Sequence, residues 1–249
     1  MSRGRIDAHA AGARTASRPH LRLARTRRGA RLLHDGHLVS EILREPGPTH
    51  SLFDVLAACA LALATGPRLA LLGFGGGSFL AALRAMGGDH DVRAVDRSRA
   101  AWQAFRRVAG RWDGRLTVAI DDAARWLARQ RQPFDFIVED LSLPVPGDLV
   151  MPPVCFDPLP RLIAKRLQPR GVAVINVFTP PRAGWDGHLR RLLVPGQRAQ
   201  VVHLADFDHR LLLLGRHLPP ARSSARAVRD ALASIGSRQS ARFRLRTLV

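Results

Sequence analysis

The chain has 249 residues, 39 of them lysine or arginine against 20 aspartates and glutamates, for a formal net charge of +19 at 46% hydrophobic content. That length suits one α/β domain with extensions and is enough to bury a sizeable core. No apolar run approaches the ~20 residues needed to span a bilayer, which excludes a transmembrane helix, and no basic segment leads into the apolar run of a secretory signal.

Lys165 is the single lysine, so the basic charge is arginine, a bias that fits a GC-rich genome. Arginine concentrates at the ends: residues 1–31 hold nine from Arg3 to Arg31 against one acid, Asp7, and residues 216–249 are similarly basic. Such tails attract nucleic acid, but few aromatics stand among them for base stacking, and solvated tails are the simpler expectation. The Arg-rich, acid-poor start also suits an organellar transit peptide. Cys59 and Cys155 lack metal-ligand spacing, as do His34, His37, His203 and His209, so no metal is expected and a reduced, cytoplasmic protein is.

In chain order, residues 1–28 lack periodicity and read as a disordered basic tail. Residues 29–48 read as an N-terminal β-hairpin, with Asp35-Gly36 between two strand-like runs ending at His34 and starting at His37. Ser51 to Ala64 is an apolar helix capped by Ser51, with Asp54 in its first turn. The stretch Arg68–Asp96 then reads as one β-α-β unit: a buried run Leu69–Leu72, the glycine loop Gly73-Phe74-Gly75-Gly76-Gly77, a helix from Ser78, and a second strand ending on Asp96. Glycines 73, 75 and 77 permit a sharp turn and close approach of a ligand to the backbone. The helix start offers free N–H groups, and Asp96 is placed to accept hydrogen bonds from ribose hydroxyls. The G-x-G-x-G spacing, with Ser78 where a dinucleotide fold has its third glycine, resembles the S-adenosylmethionine loop of the class I methyltransferase fold. No Gly-Lys-Ser/Thr follows, which excludes a phosphate loop. A turn that merely packs helix on strand remains the plain alternative.

Further helices are expected at Ser98–Val108, Ala123–Arg131 and Leu159–Leu167, with strands at Leu116–Ile120, Phe134–Val138 and Val172–Phe178. A proline-rich loop fills Leu143 to Pro160. Residues 200–207 and 209–215 suggest an antiparallel pair, and Ser224–Ile235 a last amphipathic helix. The expected fold class is α/β: a doubly wound, mostly parallel sheet with helices on both faces and an antiparallel C-terminal edge hairpin, preceded by the N-terminal β-hairpin. Residues 49–216 are expected to form a nucleotide-binding, Rossmann-like domain and 217–249 a basic C-terminal helix and tail. Ligands of such sheets lie at the carboxyl ends of the strands, where Asp96, Asp121, Asp122, Glu139 and Asp140 fall. Asp122 either caps the helix at Ala123 or faces the amine of an adenine, and Asp140 either starts an Asx turn or faces an acceptor. Adjacent strand residues point to opposite faces, so only one of Glu139 and Asp140 enters the crevice.

From Leu33 to Leu214 the pieces LLHDGHLVSE, LALLGFGGGSF, AVD, IDDAARWL, FDFIVEDLSLP and LQPRGVAVINVF stand in an order that resembles the spermidine synthase-like (polyamine aminopropyltransferase) branch of the class I methyltransferase fold. The resemblance implies S-adenosylmethionine or its decarboxylated form as co-substrate, with no metal. It implies nucleotide contacts at Gly73, Phe74, Gly75, Gly77, Asp96 (ribose), Arg97, Asp122 (adenine) and Ala123, and Asp140 as the catalytic residue beside the attacking amine. The chain departs from that family at three places: Leu143 replaces a second acid after Asp140, Gly76 stands where the loop has an Asp, and Leu52-Phe53-Asp54 stands for a Tyr-His-Glu cluster in a chain without tyrosine. A diamine needs a carboxylate at each end, so nucleotide binding is better supported than putrescine as acceptor.

The expected activity is transfer of an aminopropyl or methyl group to an amine or other small acceptor. The expected partners are that small molecule and a second copy in a homodimer; no membrane partner is expected. Two alternatives stand: a nucleic-acid methyltransferase using the arginine-rich ends, and a non-catalytic nucleotide-binding relative. The missing Asn/Asp-Pro-Pro-aromatic box argues against methylation of base amino groups.

Overall fold

The computed structural model describes residues 21–145, 148–180 and 184–248. It begins with a three-stranded antiparallel sheet, β1 (Leu21–Thr26), β2 (Gly29–His34) and β3 (His37–Leu43), in that order. Asp35 and Gly36, between β2 and β3, both have positive φ (48° and 88°), the type I′ geometry that matches strand twist. β1 corrects the expectation of a tail through residue 28. It pairs with β2 from Leu21 opposite His34 to Thr26 opposite Gly29, while Arg22, Leu23 and Arg25 stay exposed. An edge strand of this kind is held by its partner and carries little apolar signal of its own. The rest of the expected tail, residues 1–20, lies outside the described residues.

Next come α1 (Leu52–Leu63), β4 (Arg68–Leu72), α2 (Ser78–Ala85), β5 (Asp91–Asp96), α3 (Arg99–Val108), β6 (Leu116–Ile120), α4 (Ala123–Arg129) and β7 (Phe134–Glu139). The stretch expected as a proline-rich loop holds a small antiparallel pair, β8 (Leu143–Val145) and β9 (Asp148–Val150), and a 3-10 turn at Pro153–Cys155. Then follow α5 (Leu159–Arg166), β10 (Leu167–Val177), α6 (Trp185–Arg190), β11 (Arg198–Leu204), β12 (Arg210–Gly215), α7 (Ala221–Ser234), a 3-10 turn at Arg238–Ala241 and β13 (Phe243–Thr247).

The central sheet has eight strands in the order β13-β11-β12-β10-β7-β4-β5-β6. β10, β7, β4, β5 and β6 run parallel, while β12 is antiparallel to both β10 and β11. The hairpin β11–β12 is therefore present, and β13 adds a further edge strand on β11, from Gln200 opposite Thr247 to Leu204 opposite Phe243. The expectation of a basic tail after the last helix is corrected there. Phe243 and Leu245 alternate with exposed Arg244 and Arg246, a period of two that the arginine content masked. The short helix α6 likewise had no sequence counterpart.

β4 shows how the two core layers arise. Leu69 and Leu71 join α1, α2, α3 and α7 on one face, and Ala70 and Leu72 join α4 and α5 on the other. Strands buried on both faces read as continuous apolar runs, which is why β4, β7 and β10 were legible. The N-terminal sheet shares the first core through Leu32 and Ile42. No helix of the described residues is long and apolar enough to cross a membrane.

Candidate functional site

The glycine loop links β4 to α2 at the carboxyl end of the sheet. Gly73, Gly75 and Gly77 have φ of 92°, 53° and 80°, and a side chain at Gly73 would collide with the Asp140 carbonyl oxygen. These are conformations glycine adopts without strain. Asp96, ending β5, holds the loop: its Oδ2 accepts from Phe74 N (3.0 Å) and Gly75 N (2.8 Å), and its Oδ1 from Ser98 N (2.7 Å). Burial raises the Asp96 pKa against the downward pull of those N–H donors. The Phe74 ring turns into the core, edge-on to Trp102 and Phe105 at 5.7 and 5.0 Å, so the residue presents only backbone to the crevice.

The outer side of the loop is covered by β3. Ser40 Oγ and Ser78 Oγ are 2.9 Å apart, Glu41 N donates to Ser78 Oγ at 2.7 Å, and Ser78 Oγ donates to the Glu41 carbonyl at 2.9 Å. A Cβ on Gly76 would fall 2.8 Å from Ile42 Cγ1 and 3.0 Å from Ser40. A side chain at Gly76 would therefore press on β3.

Asp122 is the N-cap of α4, with Oδ1 accepting from Arg125 N at 2.9 Å. Its Oδ2 pairs with Arg97, so two of the expected nucleotide contacts are joined to each other across the ends of β5 and β6. The Arg125 N–H, ahead of the Arg97 guanidinium, holds the Asp122 pKa below its usual value. Asp121 turns toward α4, taking Asp122 N at 2.8 Å and the guanidinium groups of Arg125 and Arg129; these bonds depress it to about 2. It is therefore occupied outside the crevice. Ala123 is buried as the first residue of α4.

Asp140 follows β7 and lies against the loop, its N donating to the Leu72 carbonyl at 2.8 Å. Asn176 Nδ2, on β10, donates to Asp140 Oδ1 at 2.7 Å. The Asn176 Oδ1 is then left to accept from His209 Nδ1 at 2.9 Å, which places the proton on Nδ1 and the lone pair on Nε2. The His209 ring packs on Phe178 with centroids 4.3 Å apart, and burial lowers its pKa, keeping it neutral near pH 7. Asp140 keeps some accessible surface, yet dense protein around its carboxyl pushes its pKa up to about 7; the Asn176 donor opposes this and Asp96 adds to it. Among the described residues, Asp140 Oδ2 has no hydrogen-bond partner.

Neither residue stands out in the sequence: His209 has no metal-ligand spacing, and Asn176 lies within a strand-like run. The available signal was a polar side chain within the otherwise apolar run Gly171–Val177, buried on a central strand. Such a group needs a partner.

Glu139 points to the opposite face from Asp140, as the strand pleat requires. Its Oε1 accepts from Leu141 N at 2.9 Å and from Cys155 Sγ at 3.3 Å, and Oε2 has no partner among the described residues. Burial, opposed by these donors, raises its pKa to about 8. The native state thus holds a proton that the unfolded chain loses from about pH 4.5 upward, so this group's contribution to stability falls as pH rises toward about 8. Glu139→Gln is expected to flatten that decline in the melting temperature; a variant tracking the parent across the window would remove Glu139 as its source.

Asp54, in the stretch standing for the Tyr-His-Glu cluster, is fully committed. It accepts from Thr49 N, Thr49 Oγ1, His50 N and Ser237 Oγ at 2.6–2.8 Å. A carboxylate has about four such sites, so Asp54 latches the C-terminal segment to α1 and has none left for a ligand. Leu143, where the resemblance implies a second acid, sits on β8 and is 42% exposed.

No protein-family model and no curated protein matches the chain. Among solved structures it is similar to human methyltransferase-like protein 13 in complex with SAH, at 17% identity and a TM-score of 0.58 over 74% of this chain and 90% of that one. It is similar to spermidine synthase from Thermotoga maritima, at 14% identity and 0.58 over 81% and 74% respectively. A spermidine synthase in complex with the transition state analogue AdoDATO gives 12% identity and 0.59 over 88% and 78%. At these identities what is shown is the fold, and it is a spermidine synthase-like fold of the class I methyltransferase type.

Proposed function

We propose, from this fold and the side chains at its strand ends, that the chain binds an S-adenosyl nucleotide and transfers an aminopropyl or methyl group to a small acceptor presenting one amine. The observation that carries this reading is Asp140. Its carboxyl is tied to Asn176, has one oxygen without a described partner, and sits beside the glycine loop within electrostatic reach of Asp96. The Asp96 carboxylate adds to the raised pKa of Asp140, and a cation beside Asp140 offsets that repulsion.

The residues fit an adenosyl group with one adjustment. Asp96 uses three of about four acceptor positions on the protein, leaving one for a ribose hydroxyl. Asp122 reaches an adenine amine only if Arg97 releases its Oδ2, and an exposed pair of this kind costs about 0–1 kcal/mol to open. A bound sulfonium nucleotide supplies an electrophilic carbon and a neutral thioether leaving group. The chain's own part is to align the acceptor with that carbon and take up the proton its nitrogen loses. Asp140 is the group placed for this, oriented by Asn176 and, through it, by His209. A pKa near 7 suits proton uptake at neutral pH.

The acceptor class follows from what is committed elsewhere. Asp54 has spent its acceptors, Gly76 is covered by β3, and Leu143 offers no charge. Of the positions matched to the family's acids, Asp140 alone keeps a carboxylate oxygen without a partner among the described residues. Burying a second cation unpaired there costs several kcal/mol. Asp148 and Asp208, both within electrostatic reach of His209, lie outside those positions. Calorimetry against S-adenosylmethionine, its decarboxylated form and methylthioadenosine tests nucleotide binding and distinguishes the two transfers. Asp96→Ala is expected to weaken the tightest of these by ~1.5–3 kcal/mol through loss of charge-assisted bonds. A folded variant with unchanged affinity would sink the site assignment.

A further inference from the structure

We propose a second binding site, for the phosphate groups of an anionic ligand, in the cleft between the N-terminal sheet, the turn before α1 and the 3-10 turn that precedes β13. The cleft is a cavity of about 430 Å³ whose lining includes Arg27, Arg28, Arg31 and Arg238, with Glu41 the one acid of that lining among the described residues and His50 on its wall. This site does not depend on the transferase reading.

Three observations carry it. The charge is assembled by the fold and not by a local run: Arg238 is brought from the far end of the chain, its N–H donating to His50 Nδ1 at 3.4 Å. Gln239 Nε2, next to it, donates to the His50 carbonyl at 3.1 Å. Second, the positive groups exceed their partners. Glu41 pairs with Arg31 at 3.2 Å and Arg28 donates to the Pro48 carbonyl at 2.6 Å, neither of which offsets four guanidinium groups. Asp206 lies within electrostatic reach of Arg238 but is ion-paired with Arg242. Third, the wall is held in a costly geometry. His50 has φ of 58° and is fixed there by its N–H donating to Asp54 Oδ2 at 2.8 Å. Strained backbone of this kind gathers at ligand sites.

Guanidinium forks match phosphate oxygens two bonds at a time, and the volume suits a few linked phosphates, whether those of a free polyphosphate or of a nucleic-acid backbone. Ser40 and Glu41 are successive residues of β3 on opposite faces of the strand, one against the glycine loop and one in the cleft. The cleft is therefore the outer side of the wall that covers the candidate nucleotide site.

The test uses the full chain, with tripolyphosphate and a short single-stranded oligouridylate titrated by calorimetry. The double variant Arg27→Gln/Arg238→Gln is compared with Arg111→Gln/Arg222→Gln, which removes equal charge from exposed positions elsewhere. The cleft variant is expected to lose about tenfold or more in affinity, the scale of a lost charge-assisted contact, with the control close to the parent. Loss with both ligands supports a site for phosphate as such, and loss with the oligonucleotide alone assigns it to a nucleic-acid backbone. Equal loss in both variants, or none in the cleft variant with its melting temperature unchanged, overturns the proposal.

Discussion

Asp140→Asn is expected to lower turnover roughly 10²–10⁴-fold, the range of a lost general base, while nucleotide affinity stays within a few-fold of the parent. The substitution is nearly isosteric, and an amide oxygen at the same place still accepts from Asn176 Nδ2, so the fold has no reason to move. What disappears is the capacity to take a proton. In the parent, the carboxyl titrates at about 7, and only its ionised form accepts a proton; kcat/KM should therefore rise with pH through that value and level off above it. Asn176→Ala and His209→Gln should shift this limb, because each alters how Asp140 is held, and should do so with KM for the nucleotide little changed. The measurement is label transfer from S-adenosylmethionine and its decarboxylated form to a panel of amines across the pH range. Turnover by Asp140→Asn close to that of the parent would show that this carboxylate has no part in the chemistry.

Gly76→Asp, which introduces the acid that the sequence resemblance implies at this loop position, is expected to destabilise this chain by about 3–5 kcal/mol rather than to improve it. Overpacking costs about 1–3 kcal/mol, and an unpaired carboxyl at a buried place adds to that. Its first carbon alone would fall 2.8 Å from Ile42 Cγ1 and 3.0 Å from Ser40, on a strand that is itself bound to Ser78 at the start of α2. For relief, the Ile42 and Ser40 side chains would have to shift within a core that holds Ile42 fully buried. Denaturant unfolding reads the effect directly. Stability equal to the parent's would mean that β3 does not press on the loop at Gly76.

The fold is largely legible in the sequence because its decisive signals are local. A buried apolar run, three glycines that tolerate positive φ, an amphipathic helix and a terminal aspartate lie within residues 68–96, and each reports its own conformation. The same holds for Asp35-Gly36, whose turn type follows from two residues. What stayed hidden depends on partners distant in the chain. β1 and β13 are strands because β2 and β11 offer them unpaired edges, and their arginine content concealed the alternation. The site divides in the same way. Asp96, Asp122 and Asp140 were located by their place at strand ends, but their commitments were not: Asp122 to its cap and Arg97, Asp140 to Asn176 and His209. Hydrogen bonds spanning 33 and 36 residues leave no periodic trace, since nothing in the intervening sequence has to repeat for them to form. Residue types and local spacing determined where the carboxylates stand; only the packing of β3, β7, β10 and the segment before β12 decided which of them remain open to a ligand, because each carboxylate has few acceptor positions and the fold fills most of them first.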